Sequence, residues 1–196
     1  MPVTYTNRKG ETYHLLVGAT KTGKSKYYVS KKSGNRTADL IPEGFELHEH
    51  PASGIVHLRR VRESKLTSGE RDFAVTEIRN VTGTPHFFVE IDDDALVVYW
   101  LDGSARDDAE LLRTFGPGAA RRLHAWKVSN GSYSALMRFV LIDENERLFR
   151  TERMCFRSSV DGWIPISSRR PLAVLIDDYA KHLGKESFFE LNWPAE

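Results

Sequence analysis

Short apolar runs separated by turn residues set the pattern of the first sixty residues. Residues 3–6 lead into Asn7-Arg8-Lys9-Gly10, a turn in which glycine accepts the positive φ that closes a hairpin. Residues 12–17 form a β-branched and aromatic run, and Thr20-Lys21-Thr22-Gly23 is the next turn. Over 26–32 the polarity alternates: Tyr27 and Val29 fall on one face, Lys26, Tyr28, Ser30 and Lys32 on the other, which is the period of a strand. Ser33-Gly34-Asn35 interrupts it and Ile41-Pro42-Glu43-Gly44 turns the chain again. Strands are expected over 45–49 and 55–61. Residues 62–72 are predominantly polar and mark a boundary, giving a small basic β module over 1–63 and a larger body over 70–196.

The larger part opens with segments over 73–81 and 87–91, a turn at Asp92-Asp93-Asp94, and a nearly all-apolar stretch over 95–101 that reads as a buried central strand. Ser104 with Asp107 resembles a capping box, and a helix over 104–115 would carry Leu111, Leu112 and Phe115 along one side before Gly116-Pro117-Gly118 stops it. Asn130-Gly131, between 123–129 and 132–142, predicts a type I′ hairpin. Asp143-Glu144-Asn145-Glu146 turns into 147–157, and Val160-Asp161-Gly162-Trp163 reads as a further turn. A helix over 171–183 has its apolar stripe at Leu172, Leu175, Ile176, Tyr179 and Leu183, with Pro171 at its start and Gly184 past its end. A last helical turn is expected over 187–191.

Consecutive strands joined by tight turns favour a meander. The expected fold class is therefore α+β and β-rich. A small antiparallel N-terminal module adjoins a larger antiparallel meander sheet, packed by one or two helices near 104–115 and 171–183. The second helix should lie on the sheet face that holds Val97, Tyr99, Phe139 and Leu141.

Composition narrows the class. The chain has 196 residues, 40% hydrophobic and 28% charged, which excludes disordered and fibrous proteins. It shows neither an apolar leader nor an uninterrupted apolar run long enough to span a bilayer, so a cytoplasmic protein without a membrane partner is expected. The single cysteine, Cys155, excludes an internal disulfide framework and multi-cysteine metal sites. Set between Met154 and Phe156, it reads as a buried thiol.

Charge is unevenly placed. The net charge is +1, but residues 1–36 hold eight cations and one acid, Glu11, for +7. Residues 85–114 hold eight acids against Arg106 and Arg113. A basic block on an acidic body either meets an anionic partner or faces acidic segments of its own kind.

Three motifs suggest chemistry. Gly18-Ala-Thr-Lys-Thr-Gly23-Lys24-Ser25 satisfies the phosphate-loop pattern Gly-x4-Gly-Lys-Ser. That motif works only where the loop opens a helix, and Tyr27, Tyr28 and Val29 with no helical stripe argue for a hairpin instead. His48, His50 and His57 could share a metal, since alternate strand residues project to one side; a solvated strand end is the simpler reading. Asp92-Asp93-Asp94 offers hard oxygen ligands but suits a turn.

The remaining candidate is the basic module itself. Arg8, Lys9, Lys21, Lys24, Lys26, Lys32, Arg36, Arg59 and Arg60 supply cations that bracket phosphates, and Tyr28 supplies a surface on which a base stacks. The expected function is that of a non-enzymatic binding or accessory protein contacting nucleic acid or another polyanion, with no cofactor and no metal. The alternative is a protein–protein adaptor or homo-oligomer pairing basic 1–36 with acidic 85–114. A nucleotide- or metal-dependent hydrolase is a remote third.

Overall fold

The computed structural model describes the backbone of residues 1–157 and 160–192, and their side chains except at 104–112, 115, 120, 157, 160 and 161. The chain divides into two compact units, Met1–Arg62 and Glu63–Glu196. The fold class is α+β, with two small antiparallel sheets and one larger antiparallel sheet.

The first unit holds both small sheets. In the three-stranded sheet β1 (Thr4–Thr6), β2 (Thr12–Ala19) and β3 (Ser25–Ser30) follow one another as antiparallel neighbours. Tyr13, Leu15 and Leu16 of β2 are its buried centre. β4 (Phe45–Glu49) and β5 (Val56–Arg60) make a separate hairpin. The turn before β2 is fixed by Asn7, which is 4% exposed. Its Oδ1 accepts from the amides of Lys9 and Glu11 at 3.1 and 2.8 Å, and its Nδ2 donates to the Gly54 carbonyl at 2.6 Å. Asparagine suits this place because its short side chain mimics the turn's own backbone groups.

The second unit is built on a meander, β6 (Phe87–Asp92), β7 (Ala95–Leu101), β8 (Tyr133–Asp143), β9 (Leu148–Arg157) and β10 (Val160–Pro165), with the two-residue β11 (Arg170–Pro171) also on β9. Two helices, α1 (Ser68–Thr82) and α3 (Leu172–Tyr179), pack on each other and on this sheet. Ala74 and Ile78 of α1 join Leu175 and Ile176 of α3 in one core with Leu96, Val98, Met137, Phe139 and Phe149. Arg153, only 7% exposed, donates to the carbonyls of Leu191 and Phe189, so a buried cation ties the C-terminal segment to β9.

Several expectations are corrected. Residues 73–81 belong to α1, a helix additional to those expected near 104–115 and 171–183. The signal was Thr67, whose hydroxyl accepts from the Glu70 amide while the Glu70 carboxylate accepts from the Thr67 amide; Gly83, at φ 69°, ends the helix. Burial pushes the Glu70 carboxyl up, but its hydrogen bonds to Arg147 and Thr67 outweigh this and hold it below the usual range.

The Asn130-Gly131 hairpin is absent, because the helical stretch α2 (Ser104–Asn130) runs up to it and Gly131 lies at φ −65°. Glycine is needed there for close approach: a Cβ would meet the Lys127 carbonyl oxygen at 2.5 Å and Leu101 Cδ1 at 2.6 Å. Gly116-Pro117-Gly118 kinks α2, with Gly116 at φ 73° and Pro117 entering a second helical segment where its missing N–H costs little. The N-cap of α2 is Gly103 in place of Ser104. The side chains of Ser104, Asp107, Leu111, Leu112 and Phe115 lie outside the described residues. Val160-Asp161-Gly162-Trp163 is not a turn but part of β10, paired to β9 with Trp163 opposite Met154.

The helix-facing residues of β7 are Leu96, Val98 and Trp100, not Val97 and Tyr99; on a two-residue period a one-residue error exchanges the faces. Phe139 and Leu141 do face the helices. The helix expected over 171–183 is α3 followed by a 3-10 turn at Ala180–His182. A second 3-10 turn spans Glu186–Glu190. Among the described residues no helix is long and apolar enough to cross a membrane.

Candidate nucleic-acid interface

The Gly18–Ser25 pattern closes a hairpin. Gly18 pairs with Lys26 and Ala19 with Ser25, and the Thr20 amide and carbonyl bond Lys24 and Gly23 across the turn. Gly23 takes φ 79°, which the turn requires and glycine permits. No helix follows, so the dipole and free amides that hold a nucleotide's phosphates are missing from this loop.

What the hairpin does present is charge beside aromatic surface. Lys21, Lys24 and Lys26 are exposed, and none has an acidic partner among the described residues. Tyr27 and Tyr28 on β3 are 37% and 45% exposed. Strand alternation places Lys26 and Tyr28 on one face, opposite Gly18 and Leu16. A Cβ added at Gly18 would lie 3.6 Å from the Tyr28 ring edge, so the ring stands over this position. No acidic residue occurs between Glu11 and Asp39, so nothing in this stretch neutralises the lysines.

The other candidate cations separate into groups. Arg8 is held inside the unit: its guanidinium meets Glu49 at 2.9 Å and donates to the Ala52 carbonyl, and its side chain is 12% exposed. Arg59 pairs with Glu46 at 2.8 Å, and Arg60 lies over the Phe45 ring, 5.6 Å from its centroid. Lys9 packs its stem beside Gly54. Lys32 and Arg36 are exposed but lie beyond the end of β3, where the alternation no longer aligns them with Lys26. Lys31 pairs with Glu11 at 2.6 Å. Their shared hydrogen bond lowers the carboxyl's pKa and raises the amine's. The ten candidates thus reduce to a compact set at Lys21, Lys24, Lys26 and Tyr28.

The histidines are brought together only in part. His48 and His57 are cross-strand partners with ring centroids 5.3 Å apart, while His50 lies past β4 with Nδ1 accepting from the Ala52 amide. Burial, then the nearby Arg59 guanidinium and His57, push the His48 pKa down to about 4. Burial, His57 and Arg8 lower His50 likewise. Glu46, a carboxylate whose charge acts on His48, pairs with Arg59. Among the described residues no three metal-ligating side chains converge. Asp92-Asp93-Asp94 turns β6 into β7, with Asp93 at φ 51°. Cys155 is buried on β9.

Sequence reasoning missed a cavity of about 510 Å³ in the second unit, between the end of α1, Trp100 of β7 and residues 181–185. Its walls come from stretches roughly eighty residues apart in the chain, so no local motif marks it. No known family, no curated protein and no solved structure matches the chain.

Proposed function

We propose that the β2–β3 hairpin is a nucleic-acid contact and that the protein is a non-enzymatic binding or accessory protein. The observation that carries this reading is the set of three exposed lysines without acidic partners, placed around two exposed tyrosines on one short hairpin. In this reading Lys21, Lys24 and Lys26 meet phosphates, and the Tyr28 ring stacks on a base, a contact that every base accepts. The binding is therefore tolerant of sequence.

Filter binding with single-stranded DNA at several salt concentrations tests it. Three phosphate contacts give a log–log salt slope of about −2 on single strands. Lys24→Glu with Lys26→Glu should flatten the slope and weaken binding, and Tyr28→Ala should weaken binding while leaving the slope intact. Binding that ignores salt, or survives the double charge reversal, overturns the proposal. A salt-sensitive oligomer seen by light scattering without nucleic acid would favour the adaptor instead.

A further inference from the structure

The cavity of the second unit joins features that the hairpin's proposed role leaves unused. Its volume of about 510 Å³ lies within the range of small-molecule sites. Trp100 and Leu183 give it an apolar wall, and both are buried in the core behind it. Lys181 and Lys185 line its solvent side; both are exposed, and neither has an acidic partner among the described residues. Their charge is felt locally: after burial, these two lysines are the next causes that lower the pKa of His182 between them.

Two further observations concern the indole. Trp100 is 7% exposed, and its Nε1–H is buried without an acceptor. An unmet buried donor is uncommon, because it gives up its bond to water for nothing in return. Gly184, at φ 73°, lies against the same edge; a Cβ there would meet Nε1 at 2.8 Å. Glycine thus allows the backbone to approach the indole edge, where any side chain would collide with the ring.

We infer that this cavity binds a small organic carboxylate whose apolar body lies along Trp100 and Leu183 and whose carboxylate is held by Lys181 and Lys185. The Thr82–Thr84 side is the less suitable place for an anion, since it is the C-terminal end of α1, where the helix dipole is negative. The charge therefore belongs on the lysine side and the apolar body on the indole side. This site is independent of the hairpin and stands or falls without it.

The test is a titration of the full-length protein with benzoate, followed by the Trp100 indole N–H signal in a 15N-correlated spectrum. Trp100→Phe assigns the signal. Benzyl alcohol serves as the uncharged counterpart and inorganic phosphate as the charge without an apolar body. Benzoate should shift the signal saturably and bind roughly tenfold tighter than benzyl alcohol, the worth of a charge-assisted contact. Lys181→Glu with Lys185→Glu, both at exposed positions, should remove that difference and leave the alcohol's weak binding. Phosphate should leave the signal unmoved. No saturable shift at millimolar benzoate, equal binding of the alcohol, tighter binding of phosphate, or an unchanged preference in the double variant would each overturn the inference.

Discussion

Replacing Glu152 by glutamine should destabilise the second unit by about 2–3 kcal/mol. Glu152 is 3% exposed on β9, and one carboxylate serves two guanidiniums. Arg138 donates to Oε2 through Nε at 2.8 Å and Nη2 at 2.6 Å, and Arg150 to Oε1 through Nε at 3.1 Å and Nη2 at 2.6 Å. Arg138 in turn lies 4.6 Å from the centroid of the Trp163 ring. A glutamine removes the charge and turns an amide N–H2 toward one of the two cations. Breaking a buried pair from one side costs about 3–5 kcal/mol. Here the arginine side chains are 30% and 37% exposed, so water takes up part of that penalty and the lower figure applies.

The assay is urea unfolding followed by tryptophan fluorescence, which reports this unit because Trp100, Trp126 and Trp163 lie within it and residues 1–62 contain no tryptophan. The midpoint should fall with m unchanged. A triple change of Arg138→Met, Glu152→Leu and Arg150→Met should recover much of the loss, because an apolar set leaves no stranded charge. A loss under about 1 kcal/mol for Glu152→Gln would refute the reasoning, since it would mean that the carboxylate is dispensable to both arginines.

Gly184→Ala should cost about 2–4 kcal/mol, combining left-handed backbone strain with a clash on Trp100, and should shift tryptophan emission; an unchanged unfolding midpoint would contradict it. Asn7→Ala should loosen the turn before β2 by about 2–3 kcal/mol, read as faster amide exchange at Lys9 and Glu11, because a buried side chain with several hydrogen bonds is lost. His48 should titrate near pH 4 by NMR. Its folded pKa lies below the unfolded value of 6.5, so the unfolded state binds the proton first and stability of the first unit declines as pH drops from 6.5 toward 4. His48→Gln should flatten that decline, and a His48 that titrates near 6.5 would contradict the assignment.

Local alternation made the small strands legible. Phe45–Glu49 falls where the turn at Ile41-Pro42-Glu43-Gly44 and the polarity pattern place it, and the failure of a helical stripe after Ser25 was enough to identify the hairpin in a phosphate-loop pattern. Two of the errors share one cause, a glycine or capping residue whose role depends on what approaches it. Gly131 reads as a turn in the sequence, but it is small because Lys127 and Leu101 crowd it. Thr67 and Glu70 announce α1, yet they sit in a polar stretch that reads as a linker. For the candidate site, exposure was legible but pairing was not: Arg8 and Arg59 look like Lys24 in a list of cations, and only the fold brings Glu49 and Glu46 to them. The cavity beside Trp100 was beyond reach, since its lysines and its indole meet only in three dimensions.

The cationic hairpin is proposed as the part of the chain that receives nucleic acid. Mapping amide shifts across the whole protein during titration with a short deoxythymidine oligonucleotide addresses it most directly. Salt-sensitive shifts should concentrate at residues 18–28, with Lys24, Lys26 and Tyr28 among the largest. Shifts centred on the second unit, or none at low salt, would contradict it.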